Sequence, residues 1–104
     1  MLGVQGLRGA LLEDPLMSDS DGPPAKRILV VDDEPAMREA VASFLETRGY
    51  QVETAADAPS GLSIVRRGVD LVISDVRMPE LDGIEFLQEI RPIQPNLPVI
   101  LMTG

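Results

Sequence analysis

An α/β fold built on a doubly wound parallel sheet is predicted by three observations. Ile28–Val31 and Leu71–Ile73 are short, continuous apolar runs, the pattern of strands covered on both faces of a parallel sheet. Each run delivers acids at its carboxyl end: Asp32, Asp33 and Glu34 after the first, Asp75 after the second. Between such runs stand segments of helical periodicity, and strands alternating with helices mean right-handed crossovers between parallel neighbours.

Residues 1–25 stand apart. Gly3, Gly6, Gly9, Pro15, Gly22, Pro23 and Pro24 interrupt any periodicity, and Ser18–Gly22 is an acidic, solvated run. This composition predicts a disordered tail. Leu7–Leu12 allows one or two helical turns, marginal in water. Met17, followed by the polar run, offers an alternative initiator that would make residues 1–16 an artefact of start assignment. Lys26 and Arg27 flank the first strand and open the folded region, 26–104.

After that strand, Glu34-Pro35 begins a helix, because proline suits the first helical position and acids suit the positive helix end. Met37, Ala40, Val41, Phe44 and Leu45 repeat with helical spacing and predict one inward face. Arg48 and Gly49 end the helix as a cationic last turn and a C′ glycine. Tyr50–Ala55 alternates and reads as the second strand. Asp57 is the expected N-cap of a second helix from Ala58 to about Arg67, with Leu62, Ile64 and Val65 inward and Gly68 closing it. The third strand is Leu71–Ser74. Met78-Pro79 reads as a turn and Asp82 as the cap of a third helix, Gly83–Arg91. The inward set there is Ile84, Leu87 and Ile90, flanked by Phe86, and Gly83 is the residue that permits close backbone approach. Pro92 and Pro95 stop that helix, and Pro98–Met102 is the fourth strand, delivering Thr103 and Gly104.

Composition removes several functional classes. The 104 residues suffice for one domain, and the aliphatic character is clear from 44% hydrophobic against 3% aromatic residues. A net charge of −8 disfavours direct contact with nucleic acid or anionic lipid, which needs clustered Lys and Arg. Without cysteine or histidine the chain holds no disulfide, thiolate nucleophile, Ser-His-Asp triad or His-bound metal. No apolar run approaches the ~20 residues of a membrane span, and no secretory signal pattern opens the chain. A cytoplasmic location is the expectation.

If the first and third strands are parallel neighbours, Asp32, Asp33 and Asp75 meet on the rim where open α/β sheets place ligands. Three carboxylates in one place repel one another unless a cation sits among them. An all-oxygen donor set suits a hard divalent ion, Mg²⁺ first and Mn²⁺ or Ca²⁺ next. Each residue also has a plain structural role: Asp32 and Asp33 as helix-start acids, Asp75 as a turn former, Thr103 as a strand-end hydroxyl. The side chains of Asp57 and Arg77 read as solvated surface.

Taken in order, Asp32-Asp33, Asp75, Met78-Pro79, Asp82-Gly83 and Leu101–Gly104 resemble the receiver domain of bacterial two-component response regulators, over about Arg27–Gly104. The stretch from Asp75 onward is most similar to receivers of the enhancer-binding activator type. The resemblance implies a flavodoxin-like strand order 2-1-3-4-(5). It implies Asp75 as phosphoacceptor, taking its phosphoryl group from a sensor histidine kinase, and Thr103 as the switch hydroxyl. It implies Mg²⁺ held by Asp33, Asp75 and the backbone carbonyl of Arg77, with Asp32 acting mainly through a bound water. The family pattern also carries a fourth helix, a fifth strand bearing a lysine and a fifth helix. None of these follows Gly104, and the one lysine, Lys26, is misplaced. The expectation is therefore a fragment of a longer product with an output domain beyond it, marginally stable and impaired in phosphotransfer alone. Its fourth strand would be an unprotected edge, and its first helix would leave apolar surface uncovered. Two rival readings stand beside this one. A Mg²⁺-dependent phosphohydrolase working through an aspartyl phosphate would usually carry an acid two residues past the nucleophile, where this chain has Arg77. A non-phosphorylated interaction domain needs no such chemistry.

Overall fold

A computed structural model describes residues 25–78 and 82–103. Residues 1–24 of the expected tail, residues 79–81 of the expected turn and Gly104 lie outside the described residues. The elements run β1 (Arg27–Val31), α1 (Pro35–Thr47), β2 (Gln51–Ala55), α2 (Ala58–Arg67), β3 (Leu71–Asp75), α3 (Gly83–Ile90) and β4 (Val99–Met102). All strand pairs are parallel, in the order β2-β1-β3-β4. Element bounds depart from expectation by one residue: Tyr50, Pro98 and Arg91 lie outside their elements, and Asp75 is the last residue of β3.

The main core forms where α2 and α3 cover the sheet. Leu29, Val31 and Val72 pack there with Leu62, Ile64, Val65, Phe86 and Ile90. Asp57 caps α2 by accepting the Ser60 N–H at 2.9 Å. Asp82 and Glu85 form a reciprocal capping box on α3, the Asp82 carboxylate accepting the Glu85 N–H at 2.8 Å. Past α3, one guanidinium nitrogen of Arg91 donates to the carbonyls of Gln94, Pro95 and Leu97, which fixes the loop into β4.

Two expected inward faces are corrected. In α3, Phe86 and Ile90 are fully buried, Leu87 is half-buried and Ile84 is 53% exposed. The reason lies on α2: a side chain at Gly61 would come within 2.9 Å of the Phe86 ring, so this glycine makes the hole that Phe86 fills. In α1, only Ala42 is buried, Val41 and Leu45 are half-buried, and Ala40, Met37 and Phe44 are exposed, so the inward set is smaller than expected while the expected uncovered apolar surface is present. The guanidinium of Arg48 lies 4.8 Å from the Phe44 ring centroid and partly shields it. β3 is likewise not covered on both faces, since Leu71 and Ile73 alternate as half-buried residues with buried Val72 and Ser74. A hollow of about 430 Å³ follows on the α1 side, lined by Ile28, Leu45, Tyr50, Leu71, Ile73 and Ile100 among others.

Candidate functional site

The strand register explains why acids far apart in sequence meet. Val31 pairs with Ser74 and Asp75 with Met102. The residue after Val31 and the residue after Ser74 therefore stand at one level, at the carboxyl ends of adjacent strands. Carboxylate oxygens of Asp32, Asp33 and Asp75 all lie within 4.8 Å of one another. The sequence-predicted acidic trio is brought together.

Each acid is held differently. Asp32 is buried, its Oδ1 accepting the Glu34 N–H at 2.9 Å and its backbone carbonyl accepting from the Arg38 guanidinium at 2.8 Å. The β1–α1 turn is thus tied down from both its side chain and its main chain. Asp33 is exposed and Asp75 half-buried. One Asp75 carboxylate oxygen accepts the Arg77 N–H at 3.1 Å, while the buried Ser74 hydroxyl donates to the Asp75 carbonyl at 3.0 Å. Arg77 therefore meets Asp75 through its backbone, and its side chain is exposed.

Asp32 and Asp75 share a cleft of about 360 Å³ with Glu34, Met37, Met102 and Thr103. Thr103, exposed just past β4, is thereby placed beside the acids. Sequence reasoning missed Glu34, Met37 and Met102 as cleft walls and Arg38 as the clamp on Asp32. The position of Arg38 one turn into α1 was the available signal, since that places it near the turn it bonds.

Among the described residues no lysine or arginine side chain forms an ion pair with a carboxylate of the trio; Arg38 meets Asp32 at its backbone carbonyl. Among the described residues the ion pairs are Arg27–Glu53 and Arg67–Glu53, at 2.6 and 3.2 Å. Like charges at such spacing repel by on the order of 3 kcal/mol per pair at an effective dielectric of ~20. A hard cation between them reverses that sign, and the donor set, all carboxylate oxygen, fits one. The trio could hold a divalent ion, and the cleft sets Asp75 beside an open volume and the Thr103 hydroxyl.

Comparison with known proteins bears on the same residues. The family model described as the response regulator receiver domain matches residues 28–104. The transcriptional regulatory protein GlrR of Escherichia coli is 44% identical over 78 residues, covering 74% of this chain and 18% of that protein. The probable transcriptional regulatory protein TcrX of Mycobacterium tuberculosis is 40% identical over 89 residues, covering 85% of this chain and 38% of that protein. The chain thus spans well under half the length of these relatives. Among solved structures, the response regulator TrrA of Thermotoga maritima, in complex with Mg²⁺-BeF, aligns with a TM-score of 0.71 at 43% identity, covering 75% of this chain and 69% of that one. A receiver domain protein of Clostridium thermocellum aligns with a TM-score of 0.73 at 39% identity, covering 76% and 65%. Among the described residues, no helix is long and apolar enough to cross a membrane.

Proposed function

The chain belongs to the response regulator receiver domain family, and from that premise we propose that it accepts a phosphoryl group on Asp75 from a sensor histidine kinase. The observation that carries this reading is the meeting of Asp32, Asp33 and Asp75 at the ends of two adjacent strands, beside Thr103. In the transfer an Asp75 carboxylate oxygen attacks phosphorus. The phosphorus–nitrogen bond of the donor phosphohistidine breaks, and the imidazole nitrogen leaves with the bonding pair and takes up a proton. An acyl phosphate remains on the chain.

The chain's own residues orient that step. The Arg77 N–H holds one Asp75 oxygen, which leaves the other as the nucleophile. Ser74 fixes the peptide on which Asp75 stands. Asp33, Asp75 and the Arg77 carbonyl are the residues that would hold Mg²⁺, with Asp32 contributing through a water. Mg²⁺ bound there offsets the repulsion between carboxylate and phosphoryl oxygens and stabilises charge on the equatorial oxygens. Phosphorylation adds about −1.5 to −2 charges to the cleft. The Thr103 hydroxyl then has an acceptor to turn toward, and that local change biases the loop it belongs to. A cytoplasmic module that switches a transcriptional output domain, not an enzyme turning over free substrates, is the role this chemistry serves. The exposed arginine at position 77 agrees, since it supplies no general acid for a phosphohydrolase.

The test is incubation with radiolabelled acetyl phosphate and Mg²⁺. The wild-type chain is expected to hold label on Asp75. EDTA, or Asp75→Asn, is expected to abolish it, with the fold retained because the amide is nearly isosteric and removes a repelling charge. Labelling of the Asn variant to the wild-type extent contradicts the assignment. Rapid phosphate release from varied substrates would point to a phosphohydrolase, and no label at all to an interaction domain.

A further inference from the structure

Gly83 is the first residue of α3, yet what it touches belongs mostly to the end of β3. A Cβ at this position would lie 2.6 Å from the backbone oxygen of Asp75, 2.9 Å from the Cα of Val76 and 3.1 Å from a Leu101 methyl. The first two are backbone atoms and have no rotamer to swing away. The Gly83 N–H also donates to the Val76 carbonyl at 2.7 Å. The start of α3 therefore presses on the peptide that leaves Asp75 and leads to Arg77, whose own N–H holds the Asp75 carboxylate.

Conformational freedom does not account for this glycine. Among the described residues the positive-φ glycines are Gly49 and Gly68, and by helix propensity alone alanine is preferred to glycine. What the bare Cα supplies is space. We infer that Gly83 is a positioning residue for the acidic cleft: it lets α3 seat against Asp75–Val76 and so sets the direction of the Asp75 carboxylate and the Arg77 peptide. The inference rests on reading that cleft as the Mg²⁺ and phosphoryl site. An added methyl displaces the Asp75–Val76 backbone, and disturbance of the groups behind metal ligands typically costs about 10–100-fold in affinity.

Mg²⁺ titration followed by amide NMR, with melting temperature read in parallel, separates positioning from plain stability. Three chains are compared: wild type, Gly83→Ala and Asp82→Ala. The last loosens the start of α3 by removing its cap, while adding no atom near Asp75. Gly83→Ala is expected to weaken Mg²⁺ binding about 10-fold, and Asp82→Ala to melt lower yet stay within about twofold of wild-type affinity. Undiminished affinity in Gly83→Ala, with wild type binding, overturns this inference alone. Absence of Mg²⁺ binding in wild type overturns the reading of the cleft along with it. Should Gly83→Ala not fold, hydrogen exchange in wild type decides: Mg²⁺ is expected to slow the Gly83 amide more than the Phe86 amide one turn on. Equal slowing overturns the proposal.

Discussion

On the side of the sheet that carries α2 and α3, Leu29, Val31 and Val72 are sealed beneath Phe86, Ile90, Leu62 and Val65. On the side that carries α1, Leu71 and Ile73 of the same strand are half open, and Ile100 of β4 is 51% exposed. The strands are common to both sides, so strand propensity cannot explain the difference. Covering elements do. α2 lies over β1 and β2 and packs against α3, whereas α1 leans mainly on β2 and less on β1. The larger core cluster therefore lies on one side, with Ile28 and Val30 the strand residues buried on the other, and Asp75 shares the parity of the more open side. Asp75, the proposed acceptor, thus lies on the more open side, as the proposed transfer requires.

That contrast can be broken by substitution. Phe86→Ala should be the most damaging change, destabilising by about 3–5 kcal/mol through lost burial and the cavity opposite Gly61. Urea unfolding measures it, and a loss below ~1 kcal/mol would mean that the α3 side is not the stabilising one. Ile100→Ser on the open side should change stability by no more than about 0.5 kcal/mol. A loss comparable to that of Phe86→Ala would show that the α1 side is covered after all.

The smallest effect sharpens the comparison at the closed side's rim. The Ser60 N–H bonded to Asp57, and then the Ser60 side chain, hold the Asp57 carboxyl below its ordinary 3.8. Its folded value lies under its unfolded one. The stability it contributes is thus complete above 3.8 and is lost as pH falls through the lowered folded value. Asp57→Asn keeps a capping oxygen but no charge. Its melting temperature should match wild type near neutrality and decline less on acidification, and identical acid limbs would show that the cap carries no linked proton.

What was legible in the chain follows the same division. The parallel sheet and the acids at its strand ends could be read from local pattern, apolar runs ending in acids with helical periods between them, while the strand order that brings the acids together came with the family resemblance. Leu62, Ile64 and Val65 were rightly placed inward, since α2 has one dominant apolar stripe and a clear cap. α3 offered two stripes on one short helix, and the choice was made by the vacancy at Gly61 on a different element, which helix periodicity cannot register. The stripe of Met37 and Phe44 on α1 is real, but periodicity tells which face is apolar and not whether anything arrives to cover it. At the site, the carboxylates and the close approach at Gly83 were legible, but the backbone that Gly83 approaches and the hold of Arg38 on the Asp32 carbonyl were not. A carbonyl leaves no mark on the residue that bears it.

The pairing of Val31 with Ser74 and of Asp75 with Met102 has an evolutionary corollary. Crossover loops can grow or shrink at little cost, because closure entropy rises only slowly with length. One residue added or deleted between Leu71 and Asp75 would instead send the Asp75 carboxylate through the sheet to the far side, out of reach of Asp32 and Asp33. Descendants of this chain should therefore vary freely in length between their strands while the spacing within each strand stays locked.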